Sequence, residues 1–305
     1  MPTPRSVRGV FASQSTLEGA GVRLHRGFGF GREDLFDPFL LLDEFSSDDP
    51  DDYSAGFPWH PHRGIETITY VTKGEVEHAD SLGNSGRIGA GDVQWMTAGS
   101  GVIHQEMPEG DVKGSLGGFQ LWANLPASHK MMDPRYRSIT APEIPIVETD
   151  GATTRVICGE LQGVTGPVRD IIAGPEYLDV TLRPGATWTH STTLGHTVFV
   201  YLFEGRACFG PDTEHAICDS HGCVVLFRDG DEVTIRAGET GVRFLFVSGA
   251  PLGEPIAWGG PIVMNTREEL QRALEEYRNG TFVKFGRGRL FGHAKAVEDH
   301  SVRVS

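Results

Sequence analysis

Positive charge is scarce in this chain. Lys and Arg number 27 against 41 Asp and Glu, for a net charge of −14. Nucleic-acid binding leans on clustered cations at phosphates, so this balance argues against direct DNA or RNA contact. No basic run of nuclear-import type occurs either. Long apolar runs are also missing. No stretch reaches the roughly 18 apolar residues that span a bilayer, so no membrane role is expected. Residues 1–8 lack the apolar core of a signal peptide. Cysteine is sparse: Cys158, Cys208, Cys218 and Cys223 form no C-x-x-C pair. They read as free thiols of a reducing compartment, which points to a cytoplasmic protein, and they lack the His spacing of a zinc cage. No Gly-x-Ser-x-Gly elbow is present, and Ser100 has no evident triad, so hydrolase chemistry lacks support. Gly99-Ser-Gly101 lacks the third glycine and following helix of a dinucleotide fingerprint. It reads as a tight turn that swings His104 inward.

Glycine is plentiful. The 40 glycines and 18 prolines in 305 residues imply many turns, hence β structure, and the length allows two ordinary domains. Short β-branched and aromatic runs recur between turns. Thr67-Ile-Thr-Tyr-Val71, Val93-Gln-Trp-Met96 and Gly118-Phe-Gln-Leu-Trp-Ala-Asn124 are strand candidates in the first half. Lys73-Gly74 reads as a turn, with Glu75–Asp80 as the returning strand of a hairpin. The acidic run 48–52 reads as a solvated loop. The pattern breaks over 126–151, and the expected domains are 1–138 and 139–305. Beyond the break the rhythm resumes in Leu178-Asp-Val-Thr-Leu182, Thr197-Val-Phe-Val-Tyr-Leu-Phe203, Cys223-Val-Val-Leu-Phe227 and Val242-Arg-Phe-Leu-Phe-Val247, as in a second copy of the first fold. One helix is signalled over 266–279. Thr266 and Glu269 make a capping box, Leu270, Ala273, Leu274 and Tyr277 make the stripe, and Asn279-Gly280 ends it. It is expected to close the second domain, with a polar tail from His293.

The chemistry concentrates in two clusters. Phe57-Pro-Trp-His60-Pro-His62-Arg-Gly-Ile-Glu66 places His60, His62 and Glu66 at even spacing, on one face of an extended strand. Gly99-Ser-Gly-Val-Ile-His104-Gln-Glu106 repeats the device with His104 and Glu106. On neighbouring strands these groups can converge on one ion. Three His and one Glu leave an octahedral ion with two open positions, whereas a structural zinc site would be closed. Spacing does not choose between Glu66 and Glu106. His78, His129, His190, His196, His215, His221, His293 and His300 lack such partners and are expected to be structural or surface residues. His190 and His196 sit where a second barrel would carry its own ligands and read as a vestigial, metal-free site. Phe57, Trp59 and Met96 are candidates to line an apolar pocket, with core packing as the alternative for each.

His60-Pro-His62-Arg-Gly-Ile-Glu66-Thr, with Gly91-Asp-Val-Gln-Trp-Met-Thr-Ala-Gly99-Ser-Gly-Val-Ile-His104-Gln-Glu106-Met-Pro, resembles the pirin family of bicupins. Pro251-Leu-Gly-Glu-Pro-Ile256 and Gly260-Pro-Ile-Val-Met-Asn-Thr266-Arg-Glu-Glu are similar to that family's C-terminal signature. The likeness covers residues 7–286. It implies an all-β chain of two cupin (jelly-roll) barrels face to face, with a short C-terminal helix. It implies one divalent metal ion in the N-terminal barrel only, usually Fe(II), with Mn, Cu, Ni or Zn as alternatives. The implied ligands are His60, His62, His104 and Glu106. Glu106 doubles as general base, and Glu66 orients an imidazole. The implied activity is oxidation of flavonols such as quercetin by dioxygen, so the partners are a small aromatic substrate and dioxygen. The family also implies a competing role as a metal- and redox-responsive regulator that binds a transcription factor or a metabolic enzyme. A metal-dependent isomerase would use the same barrel but would want polar and basic pocket residues, which the sequence does not group near the ligands.

Overall fold

A computed structural model of the chain describes residues 2–210, 217–218 and 222–285, the pair 217–218 in backbone only. His215, His221, His293 and His300, with the tail from His293, lie outside the described residues. Strands dominate the described residues, and the chain divides into two compact units. These are not the contiguous halves 1–138 and 139–305. One unit takes the residues up to Thr16, His25–Glu44 and Ala141–Leu252; the other takes Leu17–Leu24, Phe45–Thr140 and the segment from Gly253. Strand pairing is the reason for the first exchange. Val7–Ala12 runs antiparallel to Cys223–Phe227, with Val10 opposite Val225.

The unit built on Phe45–Thr140 carries both His clusters. Its strands are β1 (Phe57–His62), β2 (Ile65–Lys73), β3 (Glu75–Asp80), β4 (Ser85–Gly89), β5 (Val93–Thr97), β6 (Val102–Glu109), β7 (Gly117–Asn124) and β8 (Arg135–Ile139). One sheet has the order β1-β6-β3-β4; the other sets β8, β5, β2 and β7 side by side. The expected hairpin of β2 with β3 does not form. β3 pairs with β6 and β4 instead, because the turn at Lys73-Gly74 carries the chain from one sheet to the other, as a jelly roll requires. Val71, Val76, Ile88 and Leu116 meet Val22, Leu24, Phe45 and Tyr53 in an apolar core.

The capping box forms as expected. Thr266 accepts from the Glu269 amide at 3.2 Å and Glu269 Oε2 accepts from the Thr266 amide at 3.1 Å, starting α1 (Arg267–Arg278). Ala273 is buried with Ile262, Met264 and Phe282. The helix belongs to the unit of Phe45–Thr140, not to the second barrel.

The other unit holds β9 (Glu176–Leu182), β10 (Thr187–Ser191), β11 (Thr197–Phe209), β12 (Cys223–Phe227) and β13 (Glu232–Gly249). Its sheet runs Val7–Ala12, β12, β11, β13, β9, Ala152–Cys158, Ile146–Thr149, with β10 also on β13. Leu178, Val180, Val198, Val200, Phe244 and Phe246 fill its core. Cys158 and Cys208 are in no disulfide, but Cys223 is disulfide-bonded, against the expectation of four free thiols. Disulfides depend on approach in space, which the absence of a C-x-x-C spacing does not report.

Candidate metal centre

The site is organised by β6, which lies between β1 and β3. His104 stands directly opposite His60 on one side and Asp80 on the other. Glu106, two residues on, stands opposite Phe57 across a bulge and opposite His78. His62 is opposite Val102. Directly opposed residues on antiparallel strands share a face, so His60, His62, His78, Asp80, His104 and Glu106 all project to one side. Glu66 is not on the His60 strand. The chain leaves β1 at His62, turns through Arg63-Gly64 and enters β2 in the other sheet. Gly64 has φ +78, and a Cβ there would collide with the Val263 carbonyl. Only glycine permits that crossing.

Three imidazoles converge. His60 Nε2 is 3.0 Å from His62 Nε2 and 2.9 Å from His104 Nε2. Their protonation follows from the other ring nitrogens. His60 Nδ1 donates to the Pro58 carbonyl at 2.9 Å and His62 Nδ1 to the Pro261 carbonyl at 3.1 Å. A carbonyl only accepts, so each Nδ1 carries the hydrogen and each Nε2 presents a lone pair. Burial holds all three imidazoles below their ordinary pKa, His62 and His104 well below, so protons do not fill the gap between them. Lone pairs facing one another at 3 Å call for a cation. Two nitrogens each about 2.1 Å from one ion, at right angles, lie about 3 Å apart. The donor set therefore fits a divalent metal.

Glu106 bridges the two sheets. Its Oε1 accepts from Thr69 Oγ1 and its Oε2 from Gln120 Nε2, both at 2.9 Å. Gln120 Oε1 in turn accepts from Trp122 Nε1 at 3.0 Å, and the Trp122 ring stands edge-on to His62 at 5.1 Å. Trp258 lies beyond, 6.1 Å from Trp122 between ring centres. One ligand atom each from His78, His104 and Glu106 fall within 4.8 Å of one another, as do those of His60, His62 and His104. Glu66 belongs to neither cluster. It accepts from Thr97 Oγ1 at 2.6 Å, and burial raises its pKa. The imidazoles of His60 and His62 are oriented by backbone carbonyls, so that role expected of Glu66 falls to Pro58 and Pro261.

The segment that supplies the Pro261 carbonyl is strapped in place. The Val263 amide donates to the Arg63 carbonyl at 3.1 Å. Arg63 is buried, with Nε on the Ser100 carbonyl at 2.7 Å, Nη2 on the Phe282 carbonyl at 2.9 Å and Nη1 on Glu276 at 2.8 Å. Buried Lys130 donates to the carbonyls of Gly64 at 2.9 Å and Val263 at 3.0 Å, and to Asn124 Oδ1 at 2.6 Å.

The remaining sequence candidates divide. His78, expected to be structural or on the surface, is buried inside the cluster. His190 on β10 bonds Glu176 at 3.0 Å and stacks on Trp188, and His196 lies outside that strand. Phe57 packs on the apolar core. Met96 is buried in register with Thr67 and Tyr136, whose other neighbours include Trp122 and His78. Gln120 and Trp122 were missed. Their signal was the even spacing in Gly117–Asn124, where a glutamine and a tryptophan share one strand face.

The family model named Pirin matches residues 21–123, and that of the Pirin C-terminal cupin domain matches residues 177–283. The chain belongs to the pirin family. A pirin-like protein of Caulobacter vibrioides is 41% identical over 280 residues, 91% of this chain and 99% of its own. The pirin of Homo sapiens is 40% identical over 270 residues, 88% of this chain and 90% of its own. Among solved structures, a quercetin 2,3-dioxygenase from Acinetobacter baumannii has a TM-score of 0.83 at 34% identity, covering 91% of this chain and 98% of that one. The pirin assignment agrees with the resemblance carried by the His60 and His104 motifs, and with two cupin barrels.

Proposed function

We propose that this pirin is an iron-dependent dioxygenase that cleaves flavonols such as quercetin. The observation that carries the reading is the set of three neutral imidazole nitrogens gathered beside a buried carboxylate. His60, His62, His104 and Glu106 would hold the ion. Mixed imidazole and carboxylate donors suit Fe(II), with Mn, Cu, Ni and Zn also accommodated. The ion would acidify a bound flavonol hydroxyl and supply the redox partner for dioxygen.

The protein's own groups do the rest. Glu106 takes the hydroxyl proton, and Thr69 and Gln120 fix the direction of its two oxygens. Trp122 and Trp258 offer ring surfaces beside His62 for a flat aromatic substrate. Gln94 stands opposite Thr69, and Thr67 lies two residues from it on the same strand face. The Gln94 amide and Thr67 Oγ1 are buried without a partner among the described residues. Substrate hydroxyls would satisfy them. Support also comes from the likeness to the quercetin 2,3-dioxygenase of Acinetobacter baumannii.

The deciding experiment loads the purified chain with Fe(II), adds quercetin and follows flavonol absorbance together with carbon monoxide release. Loss of the flavonol is the expected result. No loss with iron, manganese, copper or nickel would remove the enzyme reading. A bound metal without turnover would then leave redox-responsive binding of a protein partner as the function to pursue.

A further inference from the structure

His190 is a buried histidine outside the metal centre. Glu176 leads β9, in line with Leu178 and Val180 of the core, and stands opposite Ser248 on β13. His190 on β10 follows Trp188, also of the core, by two residues. Two-residue spacing on a strand keeps one face. Glu176, His190 and Ser248 therefore face inward at one end of an otherwise apolar barrel. His190 Nε2 donates to Glu176 Oε1 at 3.0 Å, and Ser248 Oγ donates to Oε2 at 2.7 Å. With the hydrogen on Nε2, a neutral ring offers its lone pair at Nδ1. That Nδ1 makes no hydrogen bond among the described residues and is not sealed from solvent. Trp188 stacks on the ring at 5.0 Å and 13°, and Phe246 meets it edge-on at 4.9 Å. The imidazole is thus held in one orientation.

A carboxylate and an imidazole set among apolar side chains are often no more stabilising than a well-packed apolar pair. Such a departure from an apolar interior is the mark of a functional group. His190 joins no cluster of donor atoms like those at His104 among the described residues, so it acts as a hydrogen-bonding group. The loops at this end carry apolar side chains. Leu194, 61% exposed, sits in the turn after β10, closed by the His196 amide on the Thr193 carbonyl at 3.2 Å. Ile172, 37% exposed, lies on the segment leading to Glu176. The Ala250 amide, two residues past Ser248, ties that segment at the Ala173 carbonyl at 2.9 Å. We propose that this mouth binds a small neutral phenol, its hydroxyl donating to His190 Nδ1 and its ring lying against Leu194 and Ile172. The open nitrogen selects a hydrogen-bond donor, and Glu176 repels an anion. His190 and Ser248 already engage both carboxylate oxygens, which disfavours a cation. The site is independent of the metal centre.

The test uses the full chain with nitrogen-labelled histidine, and phenol as the probe. Proton–nitrogen spectra that reach across the ring read each imidazole nitrogen, and His190→Gln identifies the His190 signals. Phenol should shift Nδ1 of His190 saturably, with Kd about 1 mM, the scale that a ligand of so few atoms supports. Toluene, benzoate and benzylammonium should each bind at least about tenfold more weakly. Leu194→Ser, on an exposed turn, should weaken phenol about threefold. A His190 Nδ1 signal unmoved by about 20 mM phenol would overturn the proposal. So would toluene, benzoate or benzylammonium binding as tightly as phenol. Should His190→Gln fail to fold, the ranking of the four probes on the wild type decides.

Discussion

His62 donates from Nδ1 to the carbonyl of Pro261, a residue 199 positions later in the chain. That one hydrogen bond sets the tautomer of a candidate ligand and makes the C-terminal segment part of the site. It also ties Arg63 and Lys130 to the site, since they hold the Phe282 and Val263 carbonyls of that segment.

Glutamate exchange tests the ligand choice. Glu106→Ala should lose bound metal by at least a hundredfold in affinity, while Glu66→Ala retains it, since only Glu106 lies in a donor cluster. Metal content of the purified variants measured by elemental analysis checks this. Retention by Glu106→Ala with loss in Glu66→Ala would reverse the assignment.

Gln120→Leu removes the amide that holds Glu106 Oε2 and the acceptor of Trp122 Nε1. Metal content should be nearly unchanged. Flavonol turnover should fall about 10–100-fold, the scale seen when a group that orients a metal-site carboxylate is lost. Steady-state kinetics on iron-loaded protein reads the result; an unchanged kcat would show that Glu106 needs no such support.

Arg63→Met leaves the Ser100 and Phe282 carbonyls without their donor, and leaves Glu276 paired with Lys284 alone. A buried carbonyl stripped of its donor costs about 1–3 kcal/mol. The urea midpoint should drop accordingly, and metal affinity should fall with it because the guanidinium's bond to the Phe282 carbonyl helps hold the C-terminal segment that carries Pro261. A stability loss with intact metal affinity would separate the strap from the site.

Lys130 gives a pH dependence. Burial pulls its ammonium from 10.5 down to about 7. Between those values the unfolded chain holds a proton that the folded protein has released, so this contribution to stability is complete above about 10.5 and is lost as pH falls towards 7. Across that window the wild type should gain a few kcal/mol relative to Lys130→Met. Urea unfolding at several pH values between 7 and 10 measures the difference. Parallel curves for the two proteins would exclude Lys130 as the titrating group.

The candidate metal motif was legible because a strand repeats every two residues. His60 and His62, and His104 and Glu106, therefore declared a shared face before any pairing was known. The strands β2, β5 and β7 and the capped helix were legible for similar local reasons. His78 was not. Its neighbours are set by the pairing of β3 with β6, and a glycine turn at Gly74 looks the same whether the chain folds back or crosses to another sheet. The carbonyls of Pro58 and Pro261 were invisible too, since a backbone oxygen has no side-chain signature. The exchange of terminal segments between the units was hidden because β pairing is a long-range choice that composition does not encode.

The strap formed by Pro261, Val263 and Phe282 has a consequence for biosynthesis. A ribosome working from the N-terminus delivers the three imidazoles long before it delivers the carbonyl that steers His62. A nascent chain halted near residue 140 would carry every candidate ligand yet lack the part that aims one of them. Capture of an ion at this centre would thus await near-completion of translation, and fragments left by premature termination would be poor competitors for it.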